Sequence, residues 1–111
     1  MASPVVEILS FEGCPNRQDA YDLVARVVSG TGVHAEVRLV DVHDPESAER
    51  MRFLGSPTVR VNGRDVEPGA ADRTDFTFGC RIYATSDGYS GAPAEAWVVD
   101  ALRSLTEGSA D

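Results

Sequence analysis

The chain has 111 residues, 42% of them hydrophobic, and carries ten basic against eighteen acidic side chains for a net charge of −8. That length suits one domain, residues 1–111, with enough apolar content to fold without metals or disulfides. The acidic balance argues against nucleic acid and anionic membrane as partners. Every basic residue is arginine, so no lysine is present for Schiff-base chemistry or a phosphate-binding loop. No apolar run approaches the ~20 residues of a membrane span. The N-terminus MASPVVEIL lacks the basic start of a secretory signal, so the expected location is cytoplasmic. Two cysteines are too few for an exported disulfide scaffold. In a reducing compartment they stay thiols unless they form a catalytic or sensing pair.

Pro4 to Phe11 (PVVEILSF) reads as a strand buried on both faces, broken at Glu12-Gly13. From Asn16 the period changes. Ala20, Leu23, Val24, Val27 and Val28 fall on one helical face, with Ser29-Gly30-Thr31-Gly32 as its stop. Asp19 and Asp22 lie toward the N-terminal half, where they favour the helix dipole. Val33 to Val42 reads as a second strand, entering a covered sheet. Asp44-Pro45 starts a short helix, with Asp44 as the cap and Pro45 at the first position. Ala48, Met51 and Leu54 form its apolar face, and it ends at Gly55. Residues 56–67 read as two strands around Asn62-Gly63, a strong hairpin signal. Residues 68–92 read as a long loop with room for a short strand or a helical turn. Pro93 opens a last helix with Trp97, Ala101, Leu102 and Leu105 inward, and Glu107 to Asp111 form a polar tail.

The order is β-α-β-α-β-β-α. Strand–helix–strand at the start implies a parallel pair with a right-handed crossover, and the hairpin adds antiparallel strands. The expected fold class is therefore α/β, a mixed sheet with helices on both faces.

The chemistry-bearing residues are few. Cys14 lies between the first strand and the first helix. A thiol attacks as its thiolate, and both the unpaired N–H groups of a helix start and the Arg17 cation favour that form. The competing reading is a buried, inert cysteine. His34 and His43 flank one strand and read as surface histidines. The two cysteines lack close metal-ligand spacing, so no metal site and no cofactor are expected. Asp72, Arg73 and Asp75 read as a solvated loop. Tyr83 and Tyr89 are either cleft or packing residues.

The element order, a cysteine at the first strand–helix junction and a proline opening the third strand together resemble the thioredoxin fold over residues 4–106. Ser56-Pro57-Thr58 matches the superfamily's cis-proline motif. The resemblance implies a cis bond at Pro57 and a Cys14 that faces the backbone of Ser56 and Thr58. Gly13-Cys14-Pro15, Ser56-Pro57-Thr58 and Cys80-Arg81-Ile82-Tyr83 are also similar to motifs of small bacterial thioredoxin-like proteins often labelled alkylmercury-lyase-like. Arg17 stands where the organomercurial lyases carry an acidic catalytic residue.

What the resemblance implies is a thiol–disulfide oxidoreductase or thiol-dependent reductase. Cys14 is its nucleophile, and Cys80 resolves the mixed disulfide in place of the missing cysteine at position 17. Ser56, Pro57 and Thr58 shape a groove for a small thiol or a protein disulfide, and Arg17 and Arg81 steady a thiolate or an anionic substrate, although Arg81 reads equally well as one side of a surface ion pair. The topology allows Cys80 to come to the Cys14 end of the sheet, although it can equally pack in the core. Two alternatives use the same residues. One is a soft-metal (mercury or copper) binding or organomercurial-cleaving protein. The other is a non-catalytic thioredoxin-like interaction module.

Overall fold

Six residues that are half-buried or buried throughout, Val5–Ser10, form β1, and the rest of the chain is arranged around it. A computed structural model describes residues 3–110, with side chains described through residue 104. β1 pairs in parallel with β2 (Glu36–Asp41) on one side and antiparallel with β3 (Thr58–Val61) on the other. β4 (Arg64–Asp65) closes the sheet, whose order is β2-β1-β3-β4. Asn62 and Gly63 make the expected β3–β4 turn, both with positive φ, at 51° and 82°. Such a turn matches the right-handed twist of its strands.

Alternation along β1 supplies two faces. Val6 and Ile8 join Val59 and Val61 under α1 (Arg17–Thr31) and α3 (Glu95–Ala110). The α1 residues in that core are Ala20, Leu23, Val24 and Val27, the face read from the sequence. Leu9 faces the other way, onto Ala48 of α2 (Pro45–Arg50) and onto Val42 and Phe53. Helices thus cover both sides of a mixed sheet. α1 stops at Gly32 in the left-handed conformation, φ 70°. The Asp44 carboxylate caps α2 by accepting from the Ser47 N–H at 2.7 Å.

Several expectations need correction. β2 is an edge strand, not a covered one: Leu39 is 58% exposed. α2 ends at Arg50 rather than Gly55, because Arg52 turns into the left-handed region at φ 56°. The element order has more members than β-α-β-α-β-β-α. The segment read as a loop with room for a short strand or a helical turn holds both a 3₁₀ turn, Ala70–Asp72, and a hairpin of β5 (Tyr83–Thr85) and β6 (Gly88–Ser90). α3 begins two residues after Pro93. It buries Val98 and Leu102 fully, while Trp97 is only half-buried, its ring 6.1 Å from that of Tyr83. The α3 backbone runs on through most of the segment read as a polar tail. The Leu105 side chain and Asp111 lie outside the described residues.

Candidate functional site

β1 delivers the chain to a tight turn. Gly13 takes φ 85°, a conformation that a side chain disfavours. The Cys14 N–H donates to the Phe11 carbonyl at 3.2 Å, and the Cys14 carbonyl accepts from the Arg17 N–H at 3.4 Å as α1 begins. Cys14 is thus held just before a helix start, 9% exposed.

The antiparallel register of β1 and β3 pairs Leu9 with Thr58. One step further along each strand brings Ser10 alongside Pro57, and the next brings Phe11 alongside Ser56. The Phe11 N–H reaches the Ser56 hydroxyl at 3.4 Å. The Ser56–Pro57 bond is cis, the isomer that the resemblance implied. Its surroundings are fixed: Tyr83 donates its hydroxyl to the Pro57 carbonyl at 2.5 Å, and Thr58 donates its own to the Gly55 carbonyl at 2.7 Å.

The segment around Cys80 runs beside this bond. The Ser56 N–H donates to the Gly79 carbonyl at 2.8 Å, and the Arg81 N–H donates to the Ser56 carbonyl at 2.9 Å. Ser56 and Cys80 thereby form an isolated parallel bridge. The Phe78 ring packs on Phe11, centroids 5.2 Å apart. Residues 79–81 form a strap over the proline turn, and Gly55 lets it lie there. A Cβ on Gly55 would stand 2.9 Å from the Arg81 Cβ.

Two expectations change here. Cys14 and Cys80 are both free and are not close to each other, so the pair is not assembled as drawn from the sequence. Cys14 is buried and Cys80 exposed. Ser56, Pro57 and Thr58 do not line an open groove. All three are buried, and the backbone N–H and C=O of Ser56 are both taken by the strap.

The two arginines are also engaged elsewhere. Arg17 donates to the Ser10 hydroxyl at 2.7 Å and to Asp41 at 3.1 Å, along a cleft of about 490 Å³ shared with Phe11, His43 and Phe78. Arg81 is a buried strut. Its guanidinium binds Asp65 at 2.7 and 3.1 Å, Glu67 at 2.8 Å and the Thr58 hydroxyl at 3.0 Å, and it lies 4.3 Å from the centre of the Tyr83 ring. Burial opposes its charge. The hydrogen bonds to Asp65 and Glu67 outweigh that and hold the Arg81 pKa above its ordinary value. Burial likewise pushes the Tyr83 phenol well above the usual tyrosine range.

Tyr83, which the sequence leaves between a cleft and a packing role, is fully buried here, and Asp65 and Glu67 are the residues that sequence reasoning does not assign to this site. The signal was thin: two acids two places apart at the end of a hairpin, which alternation puts on one side. Tyr89 is exposed, and both histidines are on the surface. Among the described residues no three His, Cys, Asp or Glu side chains converge to hold a metal ion, and no helix is long and apolar enough to cross a membrane.

These features define an α/β protein with a mixed four-stranded sheet and a cysteine at the junction of its first strand and helix. No known family profile matches it. Over 62 residues it is 40% identical to an uncharacterized 9.0 kDa protein in the mobE 3' region of Acidithiobacillus ferrooxidans, a match covering 53% of this chain and 68% of that protein. The chain belongs to the same family as that protein.

Proposed function

We propose that this is a thioredoxin-like thiol–disulfide exchange protein in which Cys14 is the nucleophile. The observation that carries the reading is the β1–β3 register, which brings the Cys14 turn and the cis Ser56–Pro57 bond to the same end of the sheet. The strand order β2-β1-β3-β4, with α1 and α3 on one face and α2 on the other, supports it. Two free thiols fit a reducing cytoplasm as the working compartment.

The substrate class follows from the strap. An extended peptide that adds to a sheet edge needs free main-chain donors and acceptors. Those of Ser56 are already used by Gly79 and Arg81. The substrate is therefore a small disulfide rather than a peptide strand. The Cys14 thiolate attacks one sulfur of the disulfide, forms a mixed disulfide and releases the other sulfur as a thiolate. A low-molecular-weight thiol then attacks the mixed disulfide, regenerates Cys14 and leaves as part of a new disulfide. Cys80 takes that second role only after the strap leaves Ser56, and then forms a Cys14–Cys80 disulfide that external thiol must reduce. A preformed two-thiolate metal site is disfavoured because the sulfurs are apart.

The test is reduction of a small dialkyl disulfide by excess monothiol, followed with the wild type, Cys14→Ser and Cys80→Ser. The reading requires that Cys14→Ser abolish the accelerated rate and that Cys80→Ser keep most of it. Equal rates in the wild type and Cys14→Ser would overturn it.

A further inference from the structure

Toward the end of β3 opposite to Pro57, the β3–β4 turn, the end of α2 and the 70–76 segment enclose a cleft of about 300 Å³. Four of the ten arginines line it: Arg52, Arg60, Arg64 and Arg73. In a chain of net charge −8, that is a local reversal of sign.

The pairing pattern sharpens it. Arg17, Arg26, Arg38, Arg73 and Arg81 each have a carboxylate partner. Among the described residues, Arg50, Arg52, Arg60, Arg64 and Arg103 have none within ion-pair distance, and three of these five line this one cleft. The acid in the cleft wall, Asp65, has both oxygens committed to Arg81, and Arg73 is held by Glu67 and Asp75. Glu7, across the sheet from Arg60, is the remaining acid that acts on it.

The cations are also pre-positioned. Arg60 is half-buried and donates to the Met51 and Arg52 carbonyls at 2.8 and 3.0 Å. Burial opposes its charge, and Arg81 and Arg52 add to that, beyond what Asp65 and Glu7 restore. Arg52 adopts a left-handed backbone, rare for a residue with a side chain, and holds its guanidinium over the Phe76 ring at 4.9 Å. Guanidinium forks match phosphate oxygens in geometry and charge.

We propose that Arg52, Arg60 and Arg64 form a binding site for a small diphosphate-type polyanion. The cleft is too small for more than a compact ligand, and the net charge of the chain disfavours a long polyanion across the rest of its surface. The site is separate from the thiol chemistry and does not rest on it.

The probe is inorganic pyrophosphate, read by thermal melting and by titration calorimetry at ionic strength fixed with sodium chloride. Pyrophosphate is expected to raise the melting temperature of the wild type above that of the matched chloride control. Arg52→Gln and Arg64→Gln should each weaken binding about tenfold, the loss expected for one charge-assisted contact. The double variant should lose it. Both side chains are exposed, so the variants are expected to fold. If the Arg52 change unfolds the chain, Arg64→Gln at the turn carries the test alone. Arg26→Gln, which removes an exposed arginine outside the cleft, and Cys14→Ser should bind as the wild type does. Stabilisation no greater than that of chloride, or undiminished in Arg64→Gln, would overturn the proposal.

Discussion

Asp65 grips the guanidinium of Arg81 with both carboxylate oxygens, at 2.7 and 3.1 Å, in a place where the arginine side chain is 1% exposed. Removing one member of a buried pair strands the other's charge, at a cost of about 3–5 kcal/mol. Arg81→Met should therefore lower the unfolding free energy by about that amount. Arg81→Lys keeps the charge but loses the two-pronged fit and should lose less. Urea unfolding of the two variants checks the order; equal losses would mean that the charge without the two-pronged fit contributes nothing.

Gly55→Ala puts a methyl against the Arg81 Cβ at a residue whose φ is 113°. Backbone strain of this kind costs about 1–3 kcal/mol, and the contact must also be relieved by moving the strap. The expected signature is twofold: lower stability and faster alkylation of Cys80. A stable variant with unchanged Cys80 labelling would show that the strap does not yield there.

Tyr83→Phe leaves the buried Pro57 carbonyl without its donor. The expected loss is about 1–3 kcal/mol. The phenol also links stability to high pH. Its folded pKa is raised above the ordinary value of 10.0, mainly by burial, so its contribution is full below pH 10 and is lost as pH climbs further. The stability of the wild type should fall above pH 10 more steeply than that of Tyr83→Phe. Parallel curves would refute the linkage.

At the acid end the exposed pair of Arg73 and Asp75 acts in the opposite sense. A hydrogen bond from Arg73 lowers the Asp75 pKa from 3.8 to about 2. Its contribution is present above pH 3.8 and fades as pH falls toward 2. Asp75→Asn should melt below the wild type at neutral pH, and the two melting curves should converge near pH 2. The gap should shrink with added salt, because the pair is exposed.

What the sequence made legible was local. The face of α1, the Asp44 cap and the Asn62-Gly63 turn each rest on signals within a few residues of themselves, and each stands where those signals put it. β2 was read as covered because Val37, Leu39 and Val40 are apolar, but burial depends on which strand is central, and that is a long-range property. The β5–β6 hairpin falls in the segment that reads as a long loop with room for a short strand or a helical turn. Its Asp87-Gly88 step is a turn signal, but the flanking strands are only three residues long, too short for alternation to show. At the site, the position of Cys14 and the identity of Pro57 were visible. The strap was not. Its hydrogen bonds use the backbone of Gly79, Arg81 and Ser56, which carries no sequence signature. The partners of Arg17 and Arg81 carry no local signal for a related reason: Asp41, Asp65 and Glu67 are distant in sequence or on another element.

β1 is one of the two interior strands of the four-stranded sheet and precedes the other three in sequence. Val6 meets Val37 on one side and Val61 on the other, partners that lie about 30 and about 55 residues later. At the ~5–20 residues per second of ribosomal synthesis, the second partner follows on the order of several seconds after the first strand is made. During that interval an apolar strand has no antiparallel neighbour, and closing so long a loop slows its capture. The length of that window is set by the distance in sequence between Val6 and Val61.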